Sequence, residues 1–313
     1  MRLRERSETA STSRMSATVP AAPAVRGRVV GERARVRSVV EDTVTPCGPY
    51  RLSLMRRGGR WSAPLVRGEA HAWQRTDGRV VVRAPDESGL ATARFMLALD
   101  DDTAEFHARF ARDPLLGPSV RALDGYRPLR QATVAHATLR AVVGQLIESR
   151  RARAIERSIL VELGARVATR EALARLAPVD LRRHGLAQHR ASTLARVVAG
   201  IDLERLRGLP GDAAAARLSR ERGIGPWSIG VIALEGLGRY DRGLVGDLGL
   251  VKLAASLWGR WPETWETAEL LEPYGDWQGL AGELLLLGWS RGLVPGADRD
   301  VARRTRLRTR KAA

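Results

Sequence analysis

From about residue 103 to residue 300 the apolar residues recur at helical rather than strand spacing, and this governs what the chain can fold into. TVAHATLRAVVGQLIESRRARAIERSILVELG places Leu139, Val142, Val143, Leu146 and Ile147 at helical spacing. ASTLARVVAG, DAAAARLSRER, WSIGVIALEGLG and LAGELLLLGWS continue the pattern, with Gly at several ends, where a helix C-terminus favours it. Upstream the pattern is strand-like: RVVGERARVRSVV, then YRLSLMR, EAHAWQRT and RVVVRAP. Gly58-Gly59 and Asp77-Gly78 lie between such runs as hairpin signals, the second suited to a tight primed turn. Near SGLATARFMLALD the period becomes helical. The expected fold is α+β and mostly α. A small N-terminal antiparallel sheet domain (29–102) precedes a helical body (103–300) with short connections. A disordered basic segment (1–28) and a basic tail (301–313) flank them.

A chain of 313 residues with 44% hydrophobic content can bury one large core or two ordinary ones. No apolar run approaches the roughly 18–20 residues needed to cross a bilayer. The N-terminus lacks the apolar stretch of a secretory signal, so export is not expected. Cys47 is the single cysteine. It cannot form an internal disulfide or a four-thiolate metal or iron–sulfur site, and a reducing cytoplasm is the simplest compartment. The net charge of +17 invites a nucleic-acid partner. Much of it sits at the ends, however. Residues 1–40 hold nine Arg against three Glu, and 301–313 hold six basic residues and no acid, which leaves a mildly basic body. The five histidines show no ligand spacing, so no metal is assigned.

Residues 212–237 read as helix, tight turn, helix around GIGPW. Gly223 and Gly225 permit turn conformations and clear side chains from the turn, so that a phosphate could approach the peptide N–H groups. Ile224 would point inward and pin the helices, and Pro226 suits the first helical position. The turn could equally be an ordinary connection. Twenty residues after Trp227, GLVGDLGLVKL holds a lone acid, Asp247, in an otherwise apolar segment. Taken alone, Asp247 reads as a helix N-cap.

GIGPWS followed by GDLGL, with VVGQLIES upstream, resembles the helix-hairpin-helix DNA glycosylases. The likeness is strongest to the 3-methyladenine DNA glycosylase II type, which removes alkylated purines. YRPLR and HGLAQHRASTLARVVAGI are similar to further landmarks of that family. The resemblance implies hydrolysis of the N-glycosidic bond of a flipped base in base-excision repair. Its partner would be double-stranded DNA containing damaged bases, acted on by a monomer in the cytoplasm at the nucleoid. No cofactor is implied. A monovalent cation held by hairpin carbonyls would leave no side-chain signature.

Carried over residue by residue, the resemblance makes Gly223, Gly225 and Ser228 the grip on the DNA backbone. Leu146 becomes the wedge that fills the vacated step, with Gln145 beside it. Trp227 and Trp277 become the base pocket, whose indole faces would attract a cationic alkylpurine. Asp247 becomes the acid that stabilises oxocarbenium character on the sugar. The alternatives are plain: Leu146 as core, both Trp as core fillers, Gln145 as a solvated amide. Superfamily members that also cut the strand carry a lysine where this chain has Trp227, so an enzyme without lyase activity is expected. Glu148 and Val231 depart from the family pattern, and a DNA-binding hairpin protein without catalysis is the alternative function.

Overall fold

The computed structural model describes residues 39–312, with side chains to Thr305. The expected disordered segment 1–28 and the start of the first strand-like run lie outside the described residues. The architecture is α+β and mostly α. Four antiparallel strands, β1 (Val40–Val44), β2 (Arg60–Pro64), β3 (Glu69–Gln74) and β4 (Val80–Ala84), form one sheet in the order β1-β4-β3-β2. Ala70 and Ala72 on β3 and Trp61 and Ala63 on β2 face inward at the period of two that a half-buried sheet requires. Central β4 is buried at Val80, Val81, Val82 and Ala84, with only Arg83 exposed. The helix Glu87–Met96 follows β4, N-capped by Asp86, whose carboxylate accepts from Gly89 N at 2.7 Å. Its Leu90, Ala93 and Met96 join the sheet's inner face in one buried cluster. A second, larger cluster runs from Phe106 to Val294 through the helical layer.

Two strand expectations are corrected. YRLSLMR is not a strand: Leu52–Met55 form a helical turn. Its backbone bonds go elsewhere, Leu52 N to Gln74 Oε1 at 2.9 Å and Arg51 N to Gly125 O at 2.8 Å. The alternation of Tyr50 and Leu52 reflects burial in the sheet domain without membership of the sheet. Gly58-Gly59 therefore lead from this turn into β2 and join no pair of strands. Asp77-Gly78 do close the β3–β4 hairpin, but not by a two-residue primed turn. Gly78 N bonds Arg75 O, Arg75 N bonds Arg79 O, and of the two only Gly78 has positive φ, a three-residue loop with a left-handed glycine.

YRPLR stitches the two layers together. Arg127 is fully buried and donates to the carbonyls of Ala98 (2.6 Å), Pro49 (3.1 Å) and Cys47. A buried guanidinium without such acceptors would carry a large desolvation cost. Arg130 pairs with Asp101, which also accepts from Tyr240 OH at 2.5 Å. Residues 301–312, expected as a tail, belong to a helix, Arg299–Ala312, that packs against Leu248–Trp258 with Ala302 and Thr305 buried. Among the described residues no helix is long and apolar enough to cross a membrane.

Candidate active site

The hairpin stands where the sequence places it. Helix Gly211–Ser219 and helix Pro226–Val231 flank the turn, and the second continues as a π-helical stretch, Ile232–Leu237. Ile224 is buried between them and Pro226 opens the second helix. The two glycines differ in purpose. Gly223 has φ +92°, and a Cβ there would lie 2.4 Å from Thr193 Oγ1, so the fold itself requires glycine. Gly225 has φ −94° and ψ −179°, a conformation open to any residue, and a Cβ there would meet nothing within 4 Å. The expectation that both conformations exclude a side chain is thus corrected for Gly225. The space beside its Cα is open.

The GQL segment meets this hairpin from 78 to 83 residues away in sequence. Helix Val134–Gly144 ends at Gly144, where a Cβ would stand 2.9 Å from the Trp227 ring. That glycine makes room for the indole. Gln145 follows, and its side-chain amide donates to Gly223 O at 2.8 Å and Ser228 Oγ at 2.9 Å. Ser228, expected on the DNA, is only 2% exposed, so its hydroxyl serves this internal tie. Gln145 likewise locks the turn to the loop that follows its own helix.

Leu146 settles its two readings by exposure. It is 93% exposed with φ +53°, and with Ala98 is one of two non-glycine residues at positive φ among the described residues. It is not core. A leucine in the left-handed region costs roughly 1–2 kcal/mol and persists only when its surroundings impose it. Here Arg190 holds the loop by donating to Gln145 O at 2.8 Å and Val143 O at 3.3 Å. The result is an apolar side chain aimed into solvent beside the hairpin. Glu148 caps nothing through its side chain and opens the helix Ser149–Glu162, whose Arg150, Arg151 and Arg153 are exposed.

Asp247 is both cap and candidate acid. Its Oδ1 accepts from Gly249 N (2.7 Å) and Leu250 N (3.3 Å) at the start of helix Leu248–Trp258. Its Oδ2 accepts from Trp227 Nε1 at 3.0 Å. Hydrogen bonds to both oxygens fix the orientation of the carboxylate at the helix N-terminus. Trp227 thus has an edge on the acid as well as a face against Gly144. Trp277 stacks on Tyr240 (centroids 5.7 Å apart) and meets Phe106 at 5.5 Å, lining a cleft of about 390 Å³ with Tyr240, Arg239, Asp241, Glu105 and Arg109.

Sequence reasoning missed an ionisable network behind Asp247. Arg140 pairs with Glu235 (2.7 Å) and Glu156 (3.1 Å), and His136 meets Glu156 at 3.0 Å. On the facing helix, Gln278–Ser290, Glu283 Oε2 accepts from Tyr126 OH at 3.1 Å. Burial, reinforced by the charges of Glu235 and Asp247, pushes the Glu283 carboxyl up to about 7. Burial and the Glu283 charge also raise Tyr126 well above the usual phenol range. The signal was present in LAGELLLLGWS, one acid in an apolar helix. Among the described residues no group of three or more His, Cys, Asp or Glu is placed to hold a metal ion.

No protein-family model matches the chain. Over 227 residues it is 29% identical to the probable bifunctional transcriptional activator/DNA repair enzyme AlkA of Mycobacterium tuberculosis, a match covering 68% of this chain but only 44% of that protein. The chain thus spans less than half the length of the curated relative it matches. Its structure is similar to the 3-methyladenine DNA glycosylase of Archaeoglobus fulgidus, with TM-score 0.67 and 17% identity over 79% of this chain and 97% of that one. It is also similar to the Clostridium acetobutylicum 8-oxoguanine glycosylase/lyase bound to double-stranded DNA, with TM-score 0.64 and 20% identity over 78% and 88% of the two chains. The chain thus has the fold of these DNA glycosylases and is similar in sequence to a probable AlkA repair enzyme.

Proposed function

We propose that this protein is a monofunctional DNA glycosylase that flips alkylated purines of the 3-methyladenine and 7-methylguanine class out of duplex DNA and hydrolyses their N-glycosidic bond. The observation that carries the reading is the convergence of GQL and GIGPW on Asp247. Trp227 Nε1 donates to the acid while its ring fills the space left by Gly144, and Gln145 ties the wedge loop to the hairpin. A carboxylate so fixed, beside an everted sugar, stabilises the positive charge that develops at C1′ with little reorganisation. It also lies where it can position the attacking water. An alkylated purine leaves as a neutral base, so one acid suffices for that step.

Leu146, exposed and held at positive φ, supplies the apolar plug for the vacated base step. The open space beside Gly225 lets a phosphate approach the turn at the start of the second hairpin helix. The partner is damaged double-stranded DNA, bound by a monomer. No cofactor is required, apart from a monovalent cation that the hairpin carbonyls could hold. The place of a Schiff-base amine is taken by the Trp227 indole, which cannot form one. The site of action is the nucleoid of the cytoplasm.

The test incubates the protein with methylated duplex DNA and measures free base and strand breaks separately. Release of 7-methylguanine with the strand left intact until an abasic endonuclease is added is the expected result. Strand cleavage by the protein alone would refute the no-lyase assignment. Tight DNA binding without base release would favour a non-catalytic hairpin protein.

A further inference from the structure

We propose that Glu283 is a second catalytic carboxyl, which donates a proton to the departing base when that base is a neutral purine; the proposal rests on the glycosylase reading above. Glu283 lies on helix Gln278–Ser290, three residues before Leu286 and therefore on the same helical face. That face is pressed against the start of Asp247's helix: a Cβ on Gly249 would lie 2.5 Å from Leu286 Cδ2, and Gly249 N donates to Asp247. Glu283 is thus one turn along from the contact beside the first acid. Its Oε2 is fixed by Tyr126 OH, and among the described residues its Oε1 has no hydrogen-bond partner, although the residue is half-buried. A carboxyl with one oxygen anchored and the other unbonded is poised to hydrogen-bond a bound molecule.

Besides the Tyr126 hydroxyl bonded to it, the charges that act on it are those of Glu235, Asp247 and Arg140. The environments differ as acid and base roles demand: Asp247 has three donors directed at it, whereas Glu283 has one and is held up to about 7 by burial. Near neutral pH a sizeable fraction of Glu283 therefore carries a proton.

A neutral purine is a poor leaving group because it would depart as an anion. With Glu283 protonated, its O–H proton passes to an acceptor nitrogen of the base as the C1′–N9 bond breaks, and the electron pair of that bond stays with the base. Water adds to C1′ and gives up a proton, and Glu283 takes one back. The sum is the nucleoside plus water going to the sugar plus free base, with no other reactant. A cationic base needs no such proton, so the two carboxyls are required together only for neutral bases.

The experiment compares wild type and Glu283→Gln on duplexes carrying 7-methylguanine, a cationic base, or hypoxanthine, a neutral one. The expected result is that the variant's ratio of hypoxanthine to 7-methylguanine release falls about 100-fold, the usual scale of general acid catalysis. Wild-type kcat/KM for hypoxanthine falls as pH rises above about 7, and the variant's residual hypoxanthine release does not follow that profile. Equal loss on both bases would show a structural role and overturn the proposal. So would a wild-type enzyme that releases 7-methylguanine but no hypoxanthine. Release of neither base by wild type would instead fail the glycosylase reading itself.

Discussion

Replacing Leu146 separates a wedge from a core residue, because the two assignments predict opposite signs for stability. Leu146 is 93% exposed at φ +53°. Leu146→Gly removes almost no buried surface and relieves left-handed strain of roughly 1–2 kcal/mol. Glycine's extra unfolded-state entropy returns about 0.5–1 kcal/mol of that. The net expectation is a protein as stable or up to about 1 kcal/mol more so, a rise in Tm of a few degrees for a chain of this size. Activity moves the other way. A wedge offsets a few kcal/mol of lost stacking, so single-turnover release of 7-methylguanine from a paired duplex should fall about 10- to 100-fold. A mismatched or already unstacked target should lose less, since less stacking has to be replaced. Leu146→Ala keeps the strained backbone and should match wild type in Tm while sharing the catalytic defect. A drop of about 2–5 kcal/mol in either variant, the cost of emptying a core leucine site, would refute the assignment. So would unchanged activity.

The glycines of the turn should part company. Gly223→Ala meets Thr193 Oγ1 and needs positive φ, so it should destabilise by more than about 1 kcal/mol, whereas Gly225→Ala should melt with wild type and lose DNA affinity in a fluorescence anisotropy titration. Gln145→Ala removes two hydrogen bonds to the hairpin and should cost about 1–2 kcal/mol in denaturant unfolding, with weaker DNA binding besides. Glu283 sets a pH dependence of stability. Its folded value of about 7 lies above the ordinary 4.5, so the stabilising proton is fully held in both states below about pH 4.5. That contribution is lost as pH rises through about 7, by at most about 3 kcal/mol. Glu283→Gln should therefore melt above wild type at pH 8 and close to it at pH 4.

The helical body was legible because its signals are local: helical spacing of apolar residues, and the positive-φ need of Gly223 written directly as GIG. The sheet was less so. The turn at Leu52–Met55 is decided by Gln74, more than twenty residues away, and no local pattern carries that bond. Within the site, the family resemblance points to Asp247 and Trp227, which are joined by a hydrogen bond. The same resemblance puts Ser228 on the DNA, but its hydroxyl accepts from Gln145, 83 residues distant, a pairing that no local pattern carries. The stack of Trp277 on Tyr240 is likewise a contact between residues distant in sequence that no local pattern carries. Glu283 was overlooked although it carries the feature that marked Asp247, one acid in an apolar run.

The central claim is that the Asp247 carboxylate stabilises the sugar cation. Its most direct test is single-turnover 7-methylguanine release by Asp247→Asn, measured beside the variant's affinity for duplex DNA containing an abasic site. Asparagine keeps one acceptor oxygen, which suffices for the helix cap, while losing the charge and the second oxygen that accepts from Trp227 Nε1. The account predicts a loss of at least about 100-fold in base release with DNA affinity largely kept. Base release within a few-fold of wild type would contradict it and return Asp247 to being a helix cap alone.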